Sequence, residues 1–246
     1  MLKKSILFFL FLILITNCLC NYLYEIYKDT GSTNPLKLVY IGHSGLYLTD
    51  GLNRLYIDFP YISGVYGYME FDKSCLDSLS FNRSNYCFLF THGHADHFNR
   101  KEIQSQKLKI TGPSSIKWKT NNFLTIDEMN KAGDWKITSF KTKHTWSLEH
   151  FSYLIEWYNV KIFISGDTKN INVLNNVNDV DILITTPWFL EDVVKSDYIK
   201  KIKKIMLCHF YPNAKINNKF QDKVIVPHQG MIINMQDIVI SFSDEE

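Results

Sequence analysis

Thr91-His92-Gly93-His94-Ala95-Asp96-His97 is the stretch on which the reading of this chain turns. It follows at once on Tyr86 to Phe90, a continuous apolar and aromatic run that reads as a buried strand. Three imidazoles and one carboxylate fall within six positions, a density that structural histidines alone do not reach. Neutral imidazole and carboxylate suit zinc, and iron or manganese less selectively. In a tight loop at a strand end His92 and His94 alternate and can point to one side. Asp96 and His97 lie further on and turn toward a second point, which suggests two metal positions rather than one.

The flanking sequence reads as alternating strands and helices. Leu36 to Ile41, Leu46 to Thr49 and Leu55 to Phe59 form a β-rich opening, with Asp50-Gly51 as a turn signal. Lys101 to Gln106 is helical, and Lys107 to Ile110 is a short strand closed by Gly112-Pro113. Trp135 to Phe140 alternates. Phe151 to Trp157 and Val160 to Ile164 make a hairpin around Tyr158-Asn159. Asp181 to Thr185 is a buried strand, Asp197 to Lys203 a helix and Ile205 to Cys208 a strand. Ile232 to Ile240 closes the chain with strand-like alternation. No internal repeat and no linker is visible. The economical fold is one α/β (α+β) domain with two sheets covered by helices.

His92-x-His94-x-Asp96-His97 resembles the signature of the metallo-β-lactamase superfamily, and the resemblance runs from Gly42 to His209 and a little beyond. Ile41-Gly42-His43-Ser44, Tyr56-Ile57-Asp58, Ile110-Thr111-Gly112-Pro113, Ser165-Gly166-Asp167-Thr168 and Cys208-His209-Phe210 look like the branch that holds ascorbate-phosphate lactonase, with N-acylphosphatidylethanolamine phospholipase D in a similar group. The resemblance implies a single-domain, four-layer αββα sandwich over residues 21–246, with further ligands beyond later strands. His144 follows the run Trp135 to Phe140, Asp167 the run Val160 to Ile164, and His209 the run Ile205 to Cys208. By that likeness His92, His94 and His144 bind a first divalent cation and Asp96, His97 and His209 a second, with Asp167 bridging. Zinc is foremost for both, with iron or manganese accepted. A hydroxide between ions about 3.5–4 Å apart then attacks a carbonyl or phosphorus. Asp96 additionally orients that nucleophile or shuttles its proton. His150 competes with His144 for its place, and His228, in Pro227-His228-Gln229-Gly230, competes with His209. Asp167 also fits an Asp-turn or helix cap. Asp58 is a candidate carboxylate for a ligand histidine's free N–H, and His43 a candidate to face the cleft. Trp146, Trp188, Phe189 and Tyr211 are candidate pocket walls. The loops Ser63 to Asn85 and Trp188 to Asp197 would set specificity.

The first twenty residues read as an address. Met1-Leu2-Lys3-Lys4 is a positive start and Ile6 to Ile15 a ten-residue apolar run. That is short of the roughly 20 residues a membrane span needs, and it fits a signal peptide over 1–20. Ile15-Thr16-Asn17-Cys18 looks like a lipobox. A lipidated Cys18 would anchor the domain to a membrane surface, and simple cleavage near Cys20 or Asn21 is the alternative. The chain is then periplasmic, on the cell surface or secreted. Cys75 and Cys87 could pair in an oxidising compartment.

Formal net charge is +2, and Lys3 and Lys4 account for it. A neutral mature chain has no overall pull toward nucleic acid. The run Lys200, Lys201, Lys203, Lys204 reads as a solvated face. The expected partner is a small-molecule or lipid substrate, and the expected function a binuclear metal-dependent hydrolase of an ester-type bond. Antibiotic-cleaving members of the superfamily generally lack the bridging aspartate. An exported β-lactamase and a non-catalytic metal-binding protein are the alternatives.

Overall fold

The computed structural model describes residues 35–68, 70–72, 85–214 and 222–240. Residues 1–20, expected from sequence to be a signal peptide, with Cys18, and also Cys75, lie outside them. Cys87 is a buried free thiol.

Two six-stranded mixed sheets make the frame. The first holds β1 (Lys37–Gly42), β2 (Gly45–Thr49), β3 (Arg54–Ile57), β4 (Tyr86–Leu89), β5 (Lys109–Thr111) and the late strand β12 (Ile232–Asn234), in the order β12-β1-β2-β3-β4-β5. The second holds β6 (Trp135–Thr142), β7 (His150–Trp157), β8 (Val160–Ile164), β9 (Val180–Thr185), β10 (Ile202–Leu207) and β11 (Val224–Ile225), in the order β11-β10-β9-β8-β7-β6. Each sheet begins with an antiparallel meander and continues with parallel strands. The two halves of the chain thus repeat a topology that their sequences do not repeat.

Strand alternation sorts the side chains into layers. Leu38, Tyr40, Leu46, Leu48, Leu55, Ile57, Cys87 and Leu89 face inward, against Ile137, Ile155, Ile162, Ile182 and Met206 of the second sheet. Their neighbours Val39, Ile41, Tyr47, Tyr56 and Phe88 face outward. There α1 (Arg100–Gln106) and α2 (Ser114–Lys117) cover them through Ile103 and Ile116. On the far side Phe163, Leu183, Ile205 and Leu207 pack under α4 (Pro187–Val193) and the 3-10 segment Ile171–Asn176. The layers run helix, sheet, sheet, helix. α3 (Ile126–Asn130) enters the inter-sheet core through Met129 and is opened by a Thr125–Glu128 capping box. The described residues cluster as one compact unit. Among the described residues no helix is long and apolar enough to cross a membrane.

Two expected elements differ. Asp197–Lys201 is a 3-10 turn rather than a longer helix, because β10 already begins at Ile202, where pairing with Val180 starts. Ile232 to Ile240 is not one strand. It pairs with β1 from Ile232 as far as Asn234, whose side chain accepts from Gln236 N (3.2 Å) and opens α5 (Met235–Ile240). Met235 and Ile238, three apart, then enter the core on one helical face.

Candidate metal centre

Strand ends from both sheets meet at one edge of the sandwich. β1 delivers His43, β3 delivers Asp58, and β4 delivers Thr91 to His97. From the second sheet, the β6–β7 connection delivers His144, β8 delivers Asp167, and β10 delivers His209. Three hydrogen bonds hold the two sheets in register here: His209 N to His43 O (2.8 Å), Phe151 N to Thr91 O (3.0 Å) and Tyr153 Oη to Phe90 O (2.9 Å). His43, Asp58 and His209 adopt left-handed backbone, with φ of 51°, 48° and 56°. His and Asp tolerate that region better than most residues, and it turns each side chain back over the sheet edge. Gly166, with φ of 58°, admits no side chain at all. A Cβ there would lie 2.5 Å from His150 Nε2.

The sequence-derived candidates come together in three overlapping groups of potential ligands. One is His92, His94 and His144. Another is Asp96, His97 and His209 with His43. The third is His92, His97 and Asp167. Asp167 Oδ2 is the common point. It lies 3.9 Å from His92 Nε2 and 3.8 Å from His144 Nε2 on one side, and 3.3 Å from His97 Nε2 and 3.1 Å from His209 Nε2 on the other. Asp96 Oδ2 lies 3.2 Å from His209 Nε2 and 3.3 Å from His43 Nε2. His228 is exposed, with Nδ1 against its neighbour Gln229 O, and stays away from the cluster.

Hydrogen-bond partners fix which ring nitrogen of each histidine has a free lone pair. His97 Nδ1 donates to Asp58 Oδ2 (2.9 Å), His144 Nδ1 to Asp167 O (3.1 Å) and His94 Nε2 to Trp146 O (3.2 Å). Thr91 Oγ1 donates to Asp58 Oδ2 (2.7 Å) and so accepts from His92 Nδ1 (3.0 Å). In the neutral ring, Nε2 of His92, His97 and His144 and Nδ1 of His94 would therefore carry the lone pair, the state a cation requires. Asp58 thereby reaches both groups, directly through His97 and through Thr91 to His92.

His150 is also in the cluster, but in another capacity. Its Nε2 accepts from Asp167 N (2.9 Å) and its Nδ1 faces Thr142 Oγ1 (2.6 Å), so it holds the Asp167 loop. Sequence reading weighed His150 only as a rival ligand and gave Thr91 no role. Burial at the first position of β7 would have been the signal for His150, and it is visible only once the sheets are assembled.

The electrostatics follow from burial and proximity. Burial lowers His150 to about 3 and His43 to about 4, and drives His92 well below the ordinary imidazole range. Burial opposes ionisation of Asp167, yet His97 and His209 hold its carboxyl well below the usual range. For Asp96, hydrogen bonds from His209 and His43 likewise outweigh burial. Burial disfavours the His97 cation, but Asp167 and Asp58 raise its pKa well above the ordinary value.

The residues present fit a bound cation. His92 Nε2, Asp96 Oδ1 and Asp167 Oδ1 are buried without a hydrogen-bond partner. Orphaned polar atoms of this kind are costly, and an ion is a recognised explanation. Bordering the cluster is a cleft of about 380 Å³, walled by Tyr66, Tyr68, Ala95, Thr145, Trp146 and Trp188. Tyr211 stacks on Tyr68 (4.7 Å between rings), whereas Phe189 is fully buried core.

No protein-family model and no curated protein matches the chain. Solved structures do. The metallo-β-lactamase fold protein YhfI from Bacillus subtilis is similar at a TM-score of 0.62 and 17% identity, over 81% of this chain and 98% of that one. Igni18, a metallo hydrolase from the archaeon Ignicoccus hospitalis, gives 0.59 and 13%, over 80% and 97%. An isothiocyanate hydrolase from Delia radicum gut bacteria gives 0.60 and 14%, over 80% and 98%. At such identities the likeness is one of architecture, and with the two mixed sheets and their covering helices it shows that this chain has the metallo-β-lactamase fold.

Proposed function

We propose that this chain is a metal-dependent hydrolase holding two divalent cations, zinc foremost with iron or manganese acceptable to the same donors, and that it cleaves an ester-type bond such as a phosphodiester or lactone. The observation that carries the reading is Asp167 Oδ2, within 3.1–3.9 Å of ring nitrogens from both ligand groups. His92, His94 and His144 would hold one cation and Asp96, His97 and His209 the other, with Asp167 between them. Divalent cations bound there bring the pKa of water toward neutrality and polarise the attacked group.

The chain's own residues supply the rest. Asp96 faces the cleft, orients the nucleophile and carries its proton away. His43 Nε2, 3.3 Å from Asp96 Oδ2, holds that carboxylate in place. Asp58 and Thr91 keep His92 and His97 in their ligand tautomers. Trp188 Nε1 donates to Asp167 O (3.3 Å) and steadies the loop from the outer side.

Metal analysis of purified protein tests the reading. About two equivalents are expected. His94→Ala should lose metal together with hydrolysis of a generic phosphodiester or lactone, and activity that persists in metal-stripped protein would overturn it. Residues 1–20 extend the proposal to export. If Cys18 is lipidated, Cys18→Ser should move the protein from the membrane to the soluble fraction.

A further inference from the structure

Beside the ligand cluster lies a second cavity, of about 520 Å³, lined by Lys143, His144, Thr145, Asp167, Lys169 and Trp188. Its size is that of a small-molecule pocket. Two of its walls are the loops that carry proposed ligands, since Lys143 precedes His144 and Lys169 follows Asp167 by two. The loops are tied to each other. Thr168 Oγ1 donates to Lys143 O (3.0 Å), and Asp167 O accepts from both His144 Nδ1 and Trp188 Nε1. The two lysine backbones are therefore fixed relative to the cluster, although both side chains are exposed.

The charge on these walls is unbalanced. Lys141, Lys203 and Lys200 each reach a carboxylate: Glu149 at 3.4 Å, Asp181 at 2.8 Å and Asp197 at 2.7 Å. Among the described residues neither Lys143 nor Lys169 has an ion-pair or side-chain hydrogen-bond partner. Among the described residues the one acidic residue lining the pocket is Asp167, which the cluster already engages. Two uncompensated ammonium groups in a pocket that the Trp188 indole also lines are suited to an anion carried on a partly apolar body.

We propose that this cavity is an anion subsite, in which Lys143 and Lys169 bind a carboxylate or phosphate group that the substrate carries apart from its scissile bond, with Trp188 against the intervening carbons. This rests on the hydrolase reading and narrows it to esters with a second, anionic end. The lysines act as specificity-determining residues. They take no part in bond cleavage.

The test compares a neutral ester, 4-nitrophenyl acetate, with mono-4-nitrophenyl succinate, which adds a free carboxylate, on the metal-loaded enzyme. The wild type should favour the succinate. In Lys143→Met/Lys169→Met the ratio of the two kcat/KM values should fall about tenfold, through KM of the succinate. Lys143→Arg/Lys169→Arg should restore most of it. An unchanged ratio, or equal loss on both esters, would overturn the subsite. Inorganic phosphate, titrated calorimetrically, separates this from the hydrolase reading. If neither ester is cleaved, carboxylic esters lie outside the enzyme's range and phosphate binding decides. The subsite then still stands or falls on whether the Met pair weakens phosphate binding about tenfold or leaves it as in wild type.

Discussion

Asp58 accepts three hydrogen bonds, from Thr91 N, Thr91 Oγ1 and His97 Nδ1. An amide in its place keeps the shape but removes the charge and half the acceptor capacity. Partners of this kind typically support ligand affinity by 10–100-fold. Asp58→Asn should therefore weaken zinc binding by about that factor, as read by chelator competition, while leaving the fold intact by circular dichroism. The histidine pair near the C-terminus offers a sharper contrast. His209→Ala should lose one of two metal equivalents, whereas His228→Ala should lose none, because the His228 imidazole is exposed and faces only its own turn. In the sequence both histidines follow short apolar runs, and His209 is preferred only because Val224 to Met231 resembles a closing Pro-Gly turn. The difference is that β10 pairs with β9 deep in the sheet and stops at the cluster.

At the scale of elements, the site depends on strands whose outer faces are secured by aromatic packing. Phe88 of β4 is fully buried and stacks on Tyr56 of β3, with rings 4.7 Å apart and nearly parallel. β4 leads directly into the Thr91 to His97 loop. Phe88→Ala should cost about 3–5 kcal/mol, measured as a shift in the urea midpoint. A much smaller loss would mean that this outer layer carries little of the stability. The strands were readable because apolar runs or alternation are bounded by turn residues. The last element was not. Ile232 to Ile240 satisfies strand alternation as well as a helix start, and an Asn side-chain cap decided between them.

At the scale of the molecule, the two sheets close over a shared core and leave their polar residues at one edge. That edge holds two buried carboxylates and several imidazoles whose inward atoms lack partners. A cation there stabilises the folded state by mass action, by about 2.7 kcal/mol at a hundred times Kd. In a domain of this size each kcal/mol shifts Tm by about 2–4 °C. Stripping the metal with a chelator should thus lower Tm by about 5–10 °C, and re-addition of zinc should restore it. An unchanged Tm would mean that the cluster does not hold a cation.

The amino-acid sequence by itself determined the strands, the αβ class and the dense His92 to His97 loop, because apolar periodicity and short-range spacing are local properties of a chain. It also offered His144, Asp167 and His209, through their places after apolar runs. Tertiary structure decided what those side chains face. Asp167 Oδ2 stands among ring nitrogens from three separate chain segments, His150 turns from rival ligand to loop support, and Thr91 links Asp58 to His92. These outcomes depend on how two sheets align across a common core. That alignment is set by packing and by left-handed turns at strand ends, over separations for which the sequence has no periodic signal.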